Sequence, residues 1–148
     1  MKVAVASDHR GVAFRRRLKD LLAEQGFEVV DFGAEGSESV DYPDYAAKVA
    51  RAVAAGEVDR GVIACATGIG MSLAANKVKG VRAALVHDTF TAERSRAHND
   101  ANVLCLGAEV VAEEALPGIL RAWFNTPFEG GRHRRRIEKI ARLEQCDG

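Results

Sequence analysis

Cysteine is scarce in this sequence, with only Cys65, Cys105 and Cys146 among 148 residues. Three scattered cysteines cannot build a disulfide framework, and no CxxC or Cys/His spacing suggests zinc. Reduced thiols and no metal are therefore expected. No run approaches the roughly 20 apolar residues of a membrane span, and the opening MKVAVASDHRG breaks into charge too soon for a secretory signal. The expected compartment is cytoplasmic. An excess of one charge is also missing: 21 basic and 21 acidic side chains cancel, so the overall field favours neither nucleic acid nor a membrane surface. The expected partner is a small molecule, needing no cofactor.

What is present suits one soluble α/β domain over residues 1–148, with 47% hydrophobic and 28% charged residues. Short apolar runs alternate with amphipathic ones, as in βαβ units around a parallel sheet. KVAVAS (2–7), FEVVDF (27–32), GVIACA (61–66), VRAALV (81–86) and NVLCLG (102–107) read as five strands buried on both faces. Phe14, Leu18, Leu21 and Leu22 recur at helical spacing ahead of a capping Gly26. Further helices are expected over 45–53, 70–77, 91–98 and 113–124, the last either kinked at Pro117 or beginning there. A basic terminal segment, RHRRRIEKIARLEQ, keeps an apolar stripe through Ile137, Ile140 and Ala141. It predicts a helix that packs on a partner subunit or docks on its own domain.

In open parallel sheets ligands bind beyond the carboxyl ends of the strands. There the chain carries SDHRG, CATGIG, HDT and LGAE, with RAHND just before the last strand. TGIG followed by MSLAAN resembles an anion loop, since glycines let successive amides point inward at a helix start. It fits neither the dinucleotide fingerprint, because Leu73 occupies the third glycine position, nor the Walker loop. Cys65 precedes this loop, where amides and helix dipole would favour a thiolate. A small buried hydrophobe is the competing reading. Asp8 is either a ligand contact or a helix cap, with His9 beside it. His98 and Asn99 end a helix, where a histidine can simply face the dipole. Arg132 and Arg136, four residues apart, form either an anion clamp or a solvated basic face. No aromatics interleave with these arginines, which disfavours nucleic acid.

Taken together, SDHRG, DYPDYA, CATGIGMSLAANK, RAHNDANVL and FEGGRHRRRIEKI resemble the type B ribose-5-phosphate isomerases of the RpiB/LacAB sugar-phosphate isomerase family, almost end to end. The resemblance implies a Rossmann-like fold and a metal-free aldose-ketose isomerase. It also implies a homodimer, or a dimer of dimers, with sites built from both subunits. On that resemblance Cys65 is the base moving a proton between carbons 1 and 2, and Thr67 assists it. His98 opens the sugar ring and Asp8 contacts hydroxyls. Ala66, Gly68, Ile69 and Gly70 belong to the anion hole, and Asn99 and Tyr42 line the site. His9, Arg132 and Arg136 contact phosphate, with His98 and Asn99 coming from the neighbouring chain. The chemistry agrees with these roles. An enediolate needs preorganised donors, the base must be partly deprotonated, and a cyclic sugar must open first.

The chain departs from that pattern at two positions. Ala66 replaces a more usual glycine, and Glu109 stands where members acting on ribose 5-phosphate commonly carry an arginine. The expected substrate is ribose 5-phosphate. An anion at position 109 keeps allose, galactose 6-phosphate and a tetrose phosphate as alternatives, along with a binding module that performs no chemistry.

Overall fold

The computed structural model describes residues 1–145, so Cys146 lies outside the described residues. Five strands form one all-parallel sheet: β1 (Lys2–Ser7), β2 (Glu28–Asp31), β3 (Arg60–Cys65), β4 (Ala83–Leu85) and β5 (Val103–Gly107), in the order β2-β1-β3-β5-β4. The interior strands β1, β3 and β5 are built from Val, Ala, Ile, Leu and Cys because helices cover both their faces. Burial on both faces, expected of all five strands, fails for β2 and β4, which are short and only partly buried. Each lies at a sheet edge and has a neighbour on one side only.

The alternation along β1 sends Val3 and Val5 to one face and Ala4 and Ala6 to the other. On the first face α1 (Val12–Glu24) contributes Leu18 and Leu22, while α5 (Leu116–Asn125) contributes Ile119, Leu120 and Trp123. The second face takes α2 (Tyr42–Ala54) through Val49 and Ala50, and α3 (Ile69–Ala75) through Met71 and Ala75. Cys65 and Cys105 both lie on this second face.

The helix boundaries differ from expectation for local reasons. Helix α2 begins at Tyr42 rather than 45, since Pro43 is tolerated in a first turn. Helix α4 runs Thr89–Ala97 because Asp88 and Thr91 form a capping box, which leaves His98 just beyond its end. Helix α5 begins at Leu116 with Pro117 in its first turn, preceded by a separate 3-10 turn at Glu113–Ala115. Pro117 therefore starts a helix and does not kink one.

Helix α6 (Arg132–Leu143) buries only His133, and Ile140 and Leu143 remain 47% and 71% exposed. Its apolar stripe is thus left open along much of its length. Among the described residues, no helix is long and apolar enough to cross a membrane.

Candidate active site

The chain leaves β1 toward β2 on one side of the sheet, then crosses back to place β3 on the other side. Strands β1 and β3 are therefore neighbours at the point where the order reverses, with Ser7 opposite Ala64. Ligands favour the crevice beyond the carboxyl ends of such a pair. Here that crevice is a cleft of about 420 Å³ whose lining includes Asp8, Arg10, Tyr42, Cys65, Thr67 and Gly70.

Cys65 ends β3 and is 6% exposed. The Gly68 amide donates to its Sγ at 3.2 Å, a contact that supports a developing thiolate. Gly68 has φ +79°, a left-handed conformation that glycine adopts without a Cβ penalty. The Ile69 amide donates to Thr67 Oγ1 at 3.3 Å. Two of the amides that the resemblance assigns to an anion hole thus serve the loop's own side chains.

Asp8 caps a turn and also faces the cleft. Its Oδ1 accepts from the Arg10 amide at 3.0 Å, capping the 3-10 turn His9–Gly11, while the residue also lines the cleft. His9 stands outside that lining, and its Nδ1 accepts from the Val40 amide at 3.2 Å. This bond places the proton of the neutral ring on Nε2, as a donor. Tyr42, at the start of α2, covers Gly70: a Cβ there would lie 2.4 Å from the Tyr42 ring.

The floor depends on a second close approach, because a Cβ on Gly107 would lie 2.7 Å from the backbone carbonyl of Thr67. Backbone cannot swing aside as a side-chain tip can. Gly107→Ala is expected to cost about 1–3 kcal/mol of stability and to lower kcat/KM by displacing the Thr67 loop. Urea unfolding and steady-state kinetics check this, and wild-type values in both would contradict the packing described.

The remaining site candidates gather elsewhere. His98, Asn99, Arg132 and Arg136 do not line the Cys65 cleft. His98 stacks on His133 with ring centroids 4.1 Å apart, and the Nε2 atoms of both face Glu129 Oε2, at 3.7 and 3.9 Å. Burial, then the adjacent His98 ring and Arg132 guanidinium, hold the His133 pKa below the ordinary histidine value. His98, Glu129 and His133 bring three potential metal-ligand atoms within 4.8 Å of one another. Histidine lone pairs lie in the ring plane, however, and stacked rings aim them side by side rather than at a common point. Asn99 faces a different hollow, shared with Asn76, Ile140 and Leu143. Arg132 and Arg136 occupy the first turns of α6 and form no salt bridge among the described residues.

Two cleft features escaped sequence reasoning. Arg10 lines the cleft, in the turn where the sequence singles out its neighbours Asp8 and His9. It also pairs with Glu109, its Nη1 lying 3.4 Å from Oε1. A pairing across 99 residues leaves no local signal.

Comparison with known proteins decides the family. The model of the family described as Ribose/Galactose Isomerase matches residues 3–140. The chain belongs to that family. Ribose-5-phosphate isomerase B of Escherichia coli (strain K12) is 46% identical to it, with 97% of each chain covered. D-erythrulose-4-phosphate isomerase of Pectobacterium atrosepticum is 39% identical, with 97% of this chain and 95% of that one covered. The structure of Clostridium thermocellum ribose-5-phosphate isomerase B superposes with a TM-score of 0.96 at 49% identity, covering 98% of each chain. This member of the Ribose/Galactose Isomerase family is accordingly an aldose-ketose isomerase of sugar phosphates. That excludes the reading of a binding module without chemistry.

Proposed function

We propose that the protein interconverts ribose 5-phosphate and ribulose 5-phosphate through an enediolate, with Cys65 as the base. The observation that carries this reading is the placement of Cys65, with the Gly68 amide on its sulfur, beside Asp8 and Tyr42 in the crevice between β1 and β3. The thiolate takes the proton from C2 of the open aldose and returns it to C1. Meanwhile the hydroxyl proton on O2 passes to O1, leaving the carbonyl at C2. The remaining amides of the Ala66–Gly70 loop offer preorganised dipoles to the developing oxyanion. Thr67 assists Cys65, and Asp8 holds the sugar hydroxyls. No metal or cofactor is required for a proton transfer of this kind.

The same proposal includes a homodimer. Ring opening by His98, the Asn99 contact and phosphate binding by Arg132 and Arg136 need side chains that do not line the cleft of their own chain. In the lining of that cleft Ile69 and Leu73 are 52% and 63% exposed, and the α6 stripe is open as well. A second copy seated on these surfaces covers apolar area and brings the missing groups to the cleft.

A tetrose phosphate is the second reading, favoured by Glu109 at a position where an anion disfavours the usual phosphate placement and by the Pectobacterium relative. Initial rates on ribose 5-phosphate, allose 6-phosphate, galactose 6-phosphate, erythrose 4-phosphate and free allose distinguish these readings. The highest kcat/KM is expected on ribose 5-phosphate, whereas no turnover of any of the five would overturn the assignment.

A further inference from the structure

Glu109 poses an electrostatic problem, since a lone carboxylate at the edge of a phosphate-binding cleft repels the substrate. The loop after β5 fixes it there. The Ala108 amide donates to Cys65 O at 2.8 Å and the Glu109 amide to Ala66 O at 2.9 Å, so its backbone is stapled to the strand end that carries the base.

Its partner is the counterpart of this constraint. Among the described residues, Arg10 is the only permanently cationic one in the lining of the Cys65 cleft. It sits in the 3-10 turn after β1, held close because a Cβ on Gly11 would lie 2.9 Å from the Ser7 side chain and 3.2 Å from Ala64 O. Its guanidinium spends one nitrogen, at 3.4 Å, on Glu109, and both side chains are about 60% exposed. Among the described residues that side chain makes no other hydrogen bond. The buried arginines differ: Arg15 is engaged by Ser7, Ala34 and Glu35, and Arg96 by Asp100 and Ala101. A single long contact in solvent contributes little and yields readily. A phosphate dianion offers the same guanidinium two parallel acceptors and twice the charge.

We infer that Arg10, steadied by Glu109, is the cleft's own cation for the phosphate of the substrate, and that Glu109 is its positioning residue rather than a repulsive charge. This inference rests on the proposed isomerase reading and adds to it the residue that tolerates Glu109. The pair is neutral before substrate arrives. On binding, Arg10 keeps its place through Glu109 while its remaining N–H donors turn to the phosphate oxygens. The anchoring role that the resemblance gives to a cation at position 109 is thereby supplied from the turn after β1.

The test uses purified full-length protein and separates KM from kcat. Arg10→Ala leaves the Asp8 cap intact, because that bond is donated by the Arg10 backbone amide. It is expected to raise KM for ribose 5-phosphate by about tenfold or more while kcat stays within about threefold. The Ki of inorganic phosphate as a competitive inhibitor rises alongside KM, and Arg10→Lys recovers part of both. Glu109→Gln is expected to raise KM a few-fold through loss of positioning; a lower KM in that variant would mean that Glu109 repels phosphate, overturning the inference. Unchanged KM and phosphate Ki in Arg10→Ala would overturn it too, as would a fall in kcat alone, which is the mark of a disturbed loop. Either of these outcomes leaves the isomerase reading intact if the wild type turns over ribose 5-phosphate. Absence of wild-type turnover on every sugar tested sinks both.

Discussion

Cys65→Ala is expected to lower kcat on ribose 5-phosphate by about a thousandfold or more, the upper range for loss of a positioned acid-base group, while the protein remains folded. The side chain is small and nearly buried, so alanine removes one sulfur from the edge of the cleft without opening a large cavity. The lost interaction is the Gly68 amide on Sγ, a contact in an irregular loop rather than in the sheet ladder. Cys65→Ser keeps a polar atom in place but supplies an alkoxide precursor that stays protonated at neutral pH, so it fares little better. Kinetics with matched circular dichroism spectra check both variants. Activity near wild type in either would remove Cys65 from the chemistry and return it to packing.

His98→Asn is expected to have the second largest effect, and one that depends on the sugar. Ribose 5-phosphate closes to a furanose through O4, so its carbonyl is hidden until an acid-base group opens the ring. Erythrose 4-phosphate has its O4 esterified and cannot form that ring. Removal of the ring-opening group should therefore cost about a hundredfold or more on ribose 5-phosphate and much less on erythrose 4-phosphate. Equal losses on the two sugars would give His98 a general structural role. His98 is already oriented: its ring lies on His133, held below the usual histidine pKa by burial and its neighbours, and its Nε2 faces Glu129. Held toward its neutral form, His133 can stack on His98 without placing a charge against it.

Much of this was legible in the chain itself. Buried strands announce themselves through runs such as VAVA and GVIACA, and Gly26 marked a helix end that the structure keeps. Motifs at strand ends point to Cys65 and Asp8 because a parallel sheet places successive strand ends along one edge. Less legible were the consequences of strand order. Nothing local in FEVVDF or VRAALV says that these strands lie at the edges, hence their partial exposure. Long-range polar pairing was invisible for the same reason. Arg15, which no motif marks, is fully buried and ties α1 to Ser7, Asp31, Ala34 and Glu35. Arg10 and Glu109 meet only because the turn after β1 and the loop after β5 flank the same cleft. Sequence spacing also gave no sign that His98 and the α6 arginines stand apart from Cys65 within one chain.

That separation makes subunit complementation the most direct measurement of the central claim. Cys65→Ala and His98→Asn subunits, each nearly inactive alone, are co-expressed with different tags and assayed as a mixture. If each site combines Cys65 of one copy with His98 of another, a mixed dimer holds one site with both residues intact. Random pairing then restores about one quarter of wild-type activity on ribose 5-phosphate, and the purified mixed dimer about one half. If Cys65 and His98 of the same chain worked together, every site in the mixture would lack one of them. Activity that stays at the level of the separate variants would contradict the account.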